Sequence, residues 1–104
     1  MTQIDSTPGK IEGIILISAN AEWVAAKEVF TPAVVMASPI GDYFPTNISG
    51  FECLFFHGGW GKVAAAASTQ YVIDHWHPDL IVNAGTCGGL EGHIAVGDIL
   101  LVSE

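Results

Sequence analysis

Apolar residues in this chain gather in short unbroken runs, and between the runs they recur at helical spacing. Ile11 to Ala19 (IEGIILISA) is nearly continuous in isoleucine and leucine, which predicts a central strand covered on both faces. NAEWVAAKEVF then offers Asn20 as an N-cap and Trp23, Val24, Ala26 and Phe30 at roughly helical positions, so a helix is expected until Thr31-Pro32 stops it. AVVMA, from Ala33, predicts a second strand. The stretch SPIGDYFPTNISG, with two prolines and two glycines, predicts an exposed loop. FECLFF, Phe51 to Phe56, is another buried strand. From Gly61 to His77 the positions Val63, Ala66, Ala67, Tyr71, Val72 and Trp76 mark a second helix, ended by His77-Pro78. DLIVNAG, Asp79 to Gly85, repeats the buried-strand pattern, and DILLVSE predicts a closing strand from Asp98 to Glu104.

Apolar strands alternating with helices imply an α/β fold, a mostly parallel (mixed) central sheet with helices on both faces. Residues 1–10 read as a polar, flexible leader and 11–104 as one unit without internal repeats. In such sheets ligands sit beyond the carboxyl ends of the strands. Three segments are expected to meet there: SANAEW after the first strand, HGGWGK after the aromatic strand and NAGTCGG after the Asp79 strand. The glycines of HGGWGK would let the backbone approach a bound molecule and turn sharply into a helix, although a plain turn into a helix explains them as well.

Composition narrows the function. Of 104 residues half are hydrophobic, enough for one core, and the formal net charge is -8. The only cations of the Lys/Arg type are Lys10, Lys27 and Lys62, so polyanions are repelled and no arginine is present to clamp a phosphate bidentately. Nucleic acid is therefore not an expected partner. No apolar run is long enough to span a bilayer, no signal peptide precedes the first strand, and two cysteines do not make a disulfide framework, so a soluble, cytoplasmic protein is expected.

Several chemistries can be weighed on the residues alone. GGWGK lacks the spacing of a phosphate-binding P-loop and the hydroxyl residue after its lysine, and it also lacks the dinucleotide fingerprint. Cys87 in GTCGG would need a base such as His57 or His93, and no spacing pairs them; small apolar cysteines are more often packed than reactive. The four histidines show no metal-ligand spacing, so neither metal nor cofactor is expected. Glu22 lies in the first turn of a helix at the mouth of a central strand, where dipole stabilisation on a solvated face is the ordinary explanation of a glutamate.

Three blocks change the weight given to Glu22. GWGKVAAA, PDLIVNAGTCGGL and VGDILLVSE resemble, in order and spacing, the Gly-Ile-Gly-Lys-Val, Pro-Asp, Asn-Thr-Gly-Ser-Ala-Gly-Gly-Leu and Val-Gly-Asp blocks of the purine nucleoside phosphorylase and nucleosidase superfamily. The resemblance is nearest to its hydrolytic branch, the 5'-methylthioadenosine/S-adenosylhomocysteine nucleosidases, and extends over Ile11 to Glu104, about the first half of such an enzyme. It implies that Glu22 holds and helps activate the attacking water. Trp60 would take an apolar position lining the nucleoside site, next to Gly61. Thr86 would replace a serine near the ribose, with Cys87 and Gly88 lining the same turn and Ala19 near the base or ribose. Asn83 stands where phosphorolytic relatives carry an arginine, which favours water over phosphate as the nucleophile. The family's acid for the purine and its second ribose-binding glutamate belong to its second half. The free-standing 104-residue chain is therefore expected to show little or no nucleosidase activity. A purine nucleoside ligand and a homodimer are the partners implied; a non-catalytic nucleoside-binding relative and a phosphorolytic enzyme are the alternatives.

Overall fold

The computed structural model describes residues 10–103, so the expected leader lies almost wholly outside the described residues. The chain forms β1 (Gly13–Ile17), α1 (Asn20–Phe30), β2 (Met36–Ala37), β3 (Asp42–Ile48), β4 (Phe51–His57), α2 (Gly61–Trp76) and β5 (Leu80–Asn83). One five-stranded sheet has the order β2-β3-β4-β1-β5. β1 pairs in parallel with both β4 and β5, and β3 pairs antiparallel with β4 and β2, so the sheet is mixed.

The first strand is central because both of its faces are apolar. Ile14 and Leu16 join Leu54, Phe56 and Val72 in a core beneath α2, while Ile17 joins Phe55, Phe44, Trp23 and Ala26 in a second core beneath α1. A side-chain period of two sends alternate residues of β1 and β4 to opposite faces, and each face needs its own helix to exclude water. Aromatic rings fill both cores: Phe44 stacks on Phe55 at 5.1 Å on the α1 side, and Tyr43 stacks on Phe56 at 6.0 Å on the α2 side.

Both helices end by the same device. Thr31 (φ 42°) and His77 (φ 47°) adopt the left-handed conformation and donate their N–H groups to Lys27 and Ile73 four residues back, and each precedes a proline that cannot continue the helix. The start of α1 differs from expectation. Its N-cap is Ala19, not Asn20, which is already the first helical residue.

Two expectations are corrected. The stretch 38–50 is not an exposed loop, because most of it is β3. Ser49 (φ 52°) and Gly50 (φ 91°) form a two-residue turn with both φ positive, the geometry whose twist matches that of a hairpin, and the Asn47 side chain accepts the Gly50 N–H at 3.0 Å. β2 covers only Asp42 and Tyr43, so Pro45 lies on a stretch of β3 whose outer edge is open, where proline is tolerated. The closing strand from Asp98 does not form among the described residues. Ile99 and Leu101 are almost fully exposed there, with no neighbouring strand to accept their backbone hydrogen bonds.

Candidate functional site

The parallel register determines what meets at the sheet's carboxyl rim. Ile17 is level with His57 on β4, and Leu16 with Asn83 on β5. The Gly58 N–H donates to the Ile17 carbonyl at 2.9 Å and the Ala84 N–H to the Leu16 carbonyl at 3.0 Å, so the chains leaving β4 and β5 flank the turn from β1 into α1.

Ala19 has no side-chain oxygen with which to cap α1. Glu22, the third helical residue, reaches back instead, and its Oε1 accepts the Ala19 N–H at 3.3 Å, one half of a capping box. Its other oxygen faces the loop after β5: Oε2 accepts the Thr86 main-chain N–H at 2.7 Å and the Thr86 hydroxyl at 2.6 Å. Gly85 makes this approach possible. A Cβ built there would lie 3.3 Å from both carboxylate oxygens. The Thr86 hydroxyl, then the Thr86 N–H, and more weakly the Ala19 N–H hold the Glu22 carboxyl below the ordinary carboxylate range, against a partial desolvation that raises it. Glu22 is thus an anion at neutral pH, suited to orient a water or to face a developing cation and unsuited to act as an acid.

An open cleft of about 450 Å³ surrounds this carboxylate, lined by Ser18, Ala19, Glu22, Trp60, Asn83, Ala84, Gly85 and Thr86. Ala19, Glu22, Trp60 and Thr86 therefore share one concavity. Gly61, exposed at the first turn of α2 with φ 90°, is beside it and does not line it. Cys87 lines an adjoining cavity of about 660 Å³ between the Asn83–Gly89 loop and residues 91–102, and Gly88 borders neither. Ser18, Ala84 and Gly85 enter the lining without having been singled out. The glycine before Thr86 was the available signal, since a residue without Cβ lets a carboxylate approach the backbone.

The other candidate chemistries stay apart. His57 stacks on Trp23 at 5.2 Å with its Nε2 buried and unpartnered, and no hydrogen bond joins it or His93 to Cys87. Cys53 and Cys87 are free thiols, Cys53 buried and Cys87 exposed. Among the described residues no three of the His, Cys, Asp and Glu side chains gather into a metal-binding group, and no helix is long and apolar enough to cross a membrane.

The same fold is found in known proteins. The structure is similar to a 5'-methylthioadenosine/S-adenosylhomocysteine nucleosidase from Colwellia psychrerythraea in complex with adenine, with 29% identity and a TM-score of 0.69 over 86% of this chain and 37% of that one. The nucleosidase from Streptococcus pneumoniae in complex with 8-aminoadenine gives 25% identity and a TM-score of 0.69, over 84% and 39% of the two chains. The Neisseria meningitidis nucleosidase in complex with methylthio-immucillin-A shares the fold at 23% identity and a TM-score of 0.69, over 85% and 38%. The chain thus spans less than two-fifths of each of these solved structures. The family model of the phosphorylase superfamily matches residues 18–104, from the residue before the α1 N-cap through the Thr86 loop, and on that match the chain belongs to the phosphorylase superfamily.

Proposed function

We propose that this chain carries the water-activating side of a site that hydrolyses the N-ribosidic bond of a purine 5'-thionucleoside such as methylthioadenosine or S-adenosylhomocysteine. The observation behind this proposal is the Glu22 carboxylate, ionised, anchored by both Thr86 donors and lining an open cleft. Hydrolysis passes through a sugar with oxocarbenium character. Water attacks the anomeric carbon, the C–N bond breaks, and its electron pair goes to the purine. Glu22 accepts the water's proton and stabilises the cationic sugar, a role that contributes on the order of a hundred- to ten-thousand-fold. Asn83 at the rim favours water over phosphate on this side of the site, where none of the lining residues offers a dianion a bidentate partner.

The leaving purine must also be protonated. Glu22 is the one carboxylate in the cleft lining, and its lowered pKa makes it a poor donor, so that proton comes from solvent or from a group beyond these residues. This favours a second outcome for the chain by itself: nucleoside binding with little or no turnover. Cytoplasmic residence and self-association belong to the same proposal, supported by two unpaired thiols and by the exposed Leu80 and Val82 on the edge strand β5.

Calorimetric titration of the 104-residue chain with methylthioadenosine and adenine, together with an assay of adenine release, tests the proposal. Binding is expected, with slow release that Glu22→Gln lowers further. Failure to bind either compound would sink the nucleoside reading, and rapid release independent of Glu22 would remove its catalytic role.

A further inference from the structure

Trp60 is placed unlike the other two tryptophans. Trp23 is 4% exposed and stacks on His57, and Trp76 packs edge-on against Tyr43 at 4.9 Å. Trp60 is 76% exposed, and among the described residues its indole has neither a ring partner nor a hydrogen-bond partner. A single exposed apolar side chain needs no explanation by itself. This one lines the same cleft as Glu22 and Thr86.

Its backbone setting is also particular. Gly59 (φ 83°) and Gly61 (φ 90°) flank it, both in the left-handed region, and a Cβ at Gly61 would meet nothing within 4 Å. The indole is therefore carried on two residues with wide backbone freedom, next to open space. The strand order β4-β1-β5 brings Trp60 in from the β4 side and Thr86 from the β5 side, with Glu22 between them. A molecule that filled this cleft would meet both the Glu22 carboxylate and the indole.

We infer that Trp60 is the stacking residue of the cleft, its indole face being the platform on which a flat π-electron group of a bound nucleoside stacks. This rests on the cleft being the nucleoside site proposed above. Aromatic faces attract planar π systems in offset stacks, and a tryptophan loses little conformational freedom in doing so. The flat group is either the purine itself or a planar substituent on the sugar's 5' carbon. The chemistry is the same, and the ligand series below tells the two apart.

The test follows tryptophan emission and calorimetric affinity while the chain is titrated with adenine, methylthioadenosine and 5'-phenylthioadenosine, in the wild type, Trp60→Ala and Trp60→Phe. Because Trp60 is exposed, both variants should keep the wild-type far-ultraviolet circular dichroism. Bound ligand is expected to quench the wild-type emission. Trp60→Ala should weaken the stacked ligand by about tenfold, the scale of one base-aromatic stack, and Trp60→Phe should keep most of the affinity. A loss shared by all three compounds puts the purine on the indole; a loss confined to the phenylthio compound puts the substituent there. Unchanged affinity of every compound for Trp60→Ala overturns the platform while leaving the cleft a nucleoside site. Failure of the wild type to bind any of them overturns both.

Discussion

Two donors of Thr86, its main-chain N–H and its hydroxyl, converge on a single oxygen of Glu22 at 2.7 and 2.6 Å, joining residues 64 apart in sequence. The pair ties the first turn of α1 to the loop after β5. It also sets the electrostatic character of the site, because both bonds stabilise the anion and neither survives protonation of that oxygen unchanged.

Thr86→Val keeps the N–H and removes the hydroxyl, the larger of the two influences on Glu22. The Glu22 pKa is expected to rise toward the ordinary carboxylate value, as followed by carbon-13 NMR of its carboxyl group. The sign for stability follows from the lowered folded-state pKa. The stabilisation is present above the unfolded pKa and is lost as pH falls through the folded one, so it disappears in acid. Urea midpoints of the wild type and Thr86→Val should therefore differ at pH 7 and converge once Glu22 is protonated in both. A difference that persists unchanged in acid would mean that the hydroxyl acts through packing.

Gly85→Ala tests the same contact from the other side. The new methyl would sit 3.3 Å from both Glu22 oxygens, so the carboxylate must move by a few tenths of an ångström and its bonds to Thr86 must lengthen. A higher Glu22 pKa and weaker nucleoside binding are expected, with the melting temperature little changed because the site is on the surface. A variant with wild-type pKa and affinity would show that the loop yields instead.

The two thiols should react at very different rates with a disulfide reagent. Cys87 is exposed, whereas Cys53 is buried, and desolvation, then the nearby Glu12 and Glu52 carboxylates, push its pKa up, so little thiolate forms. One fast and one slow equivalent are expected, the slow one accelerating in denaturant. Equal rates in the native protein would contradict the burial of Cys53.

Phe56 is fully buried beneath α2 and packs against Tyr43, Tyr71 and Trp76. Phe56→Ala should cost about 3–5 kcal/mol in urea unfolding, a large part of the stability of a domain this size. Gly41→Ala should also be severe, because its methyl would collide with the His57 carbonyl, a backbone atom that cannot swing away. Folding of either variant with unchanged stability would contradict the packing at the β3–β4 pair.

What the sequence by itself determined were the features carried by local pattern. The apolar runs at 11–19 and 51–56 required buried strands, the helical periods of 20–30 and 61–76 required the two helices, and Pro32 and Pro78 set their ends. The run after Asp79 also forms a strand, but β5 lies at the sheet's edge with Leu80 and Val82 exposed rather than buried, because no further strand covers it among the described residues. Strands that alternate with helices come out parallel, which is why Glu22, Trp60 and Thr86 could be expected at one rim. Local pattern was misleading where pairing outweighs composition. β3 carries Pro45 and reads as a loop until β4 supplies its ladder, and the Ser49-Gly50 pair that makes the hairpin turn is a signal of only two residues. The apolar segment from Asp98 reads as a strand, yet an extended segment becomes one only beside a partner. Tertiary structure alone decided the fine geometry of the site: that Ala19 leaves α1 to be capped by Glu22, that Gly85 lets the carboxylate approach, and that Thr86 presents both donors to one oxygen while Cys87 turns into the next cavity. The cap is local, but the contacts of Glu22 with Gly85 and Thr86 join residues more than sixty positions apart, and their lengths depend on the register of three strands, which no local pattern encodes.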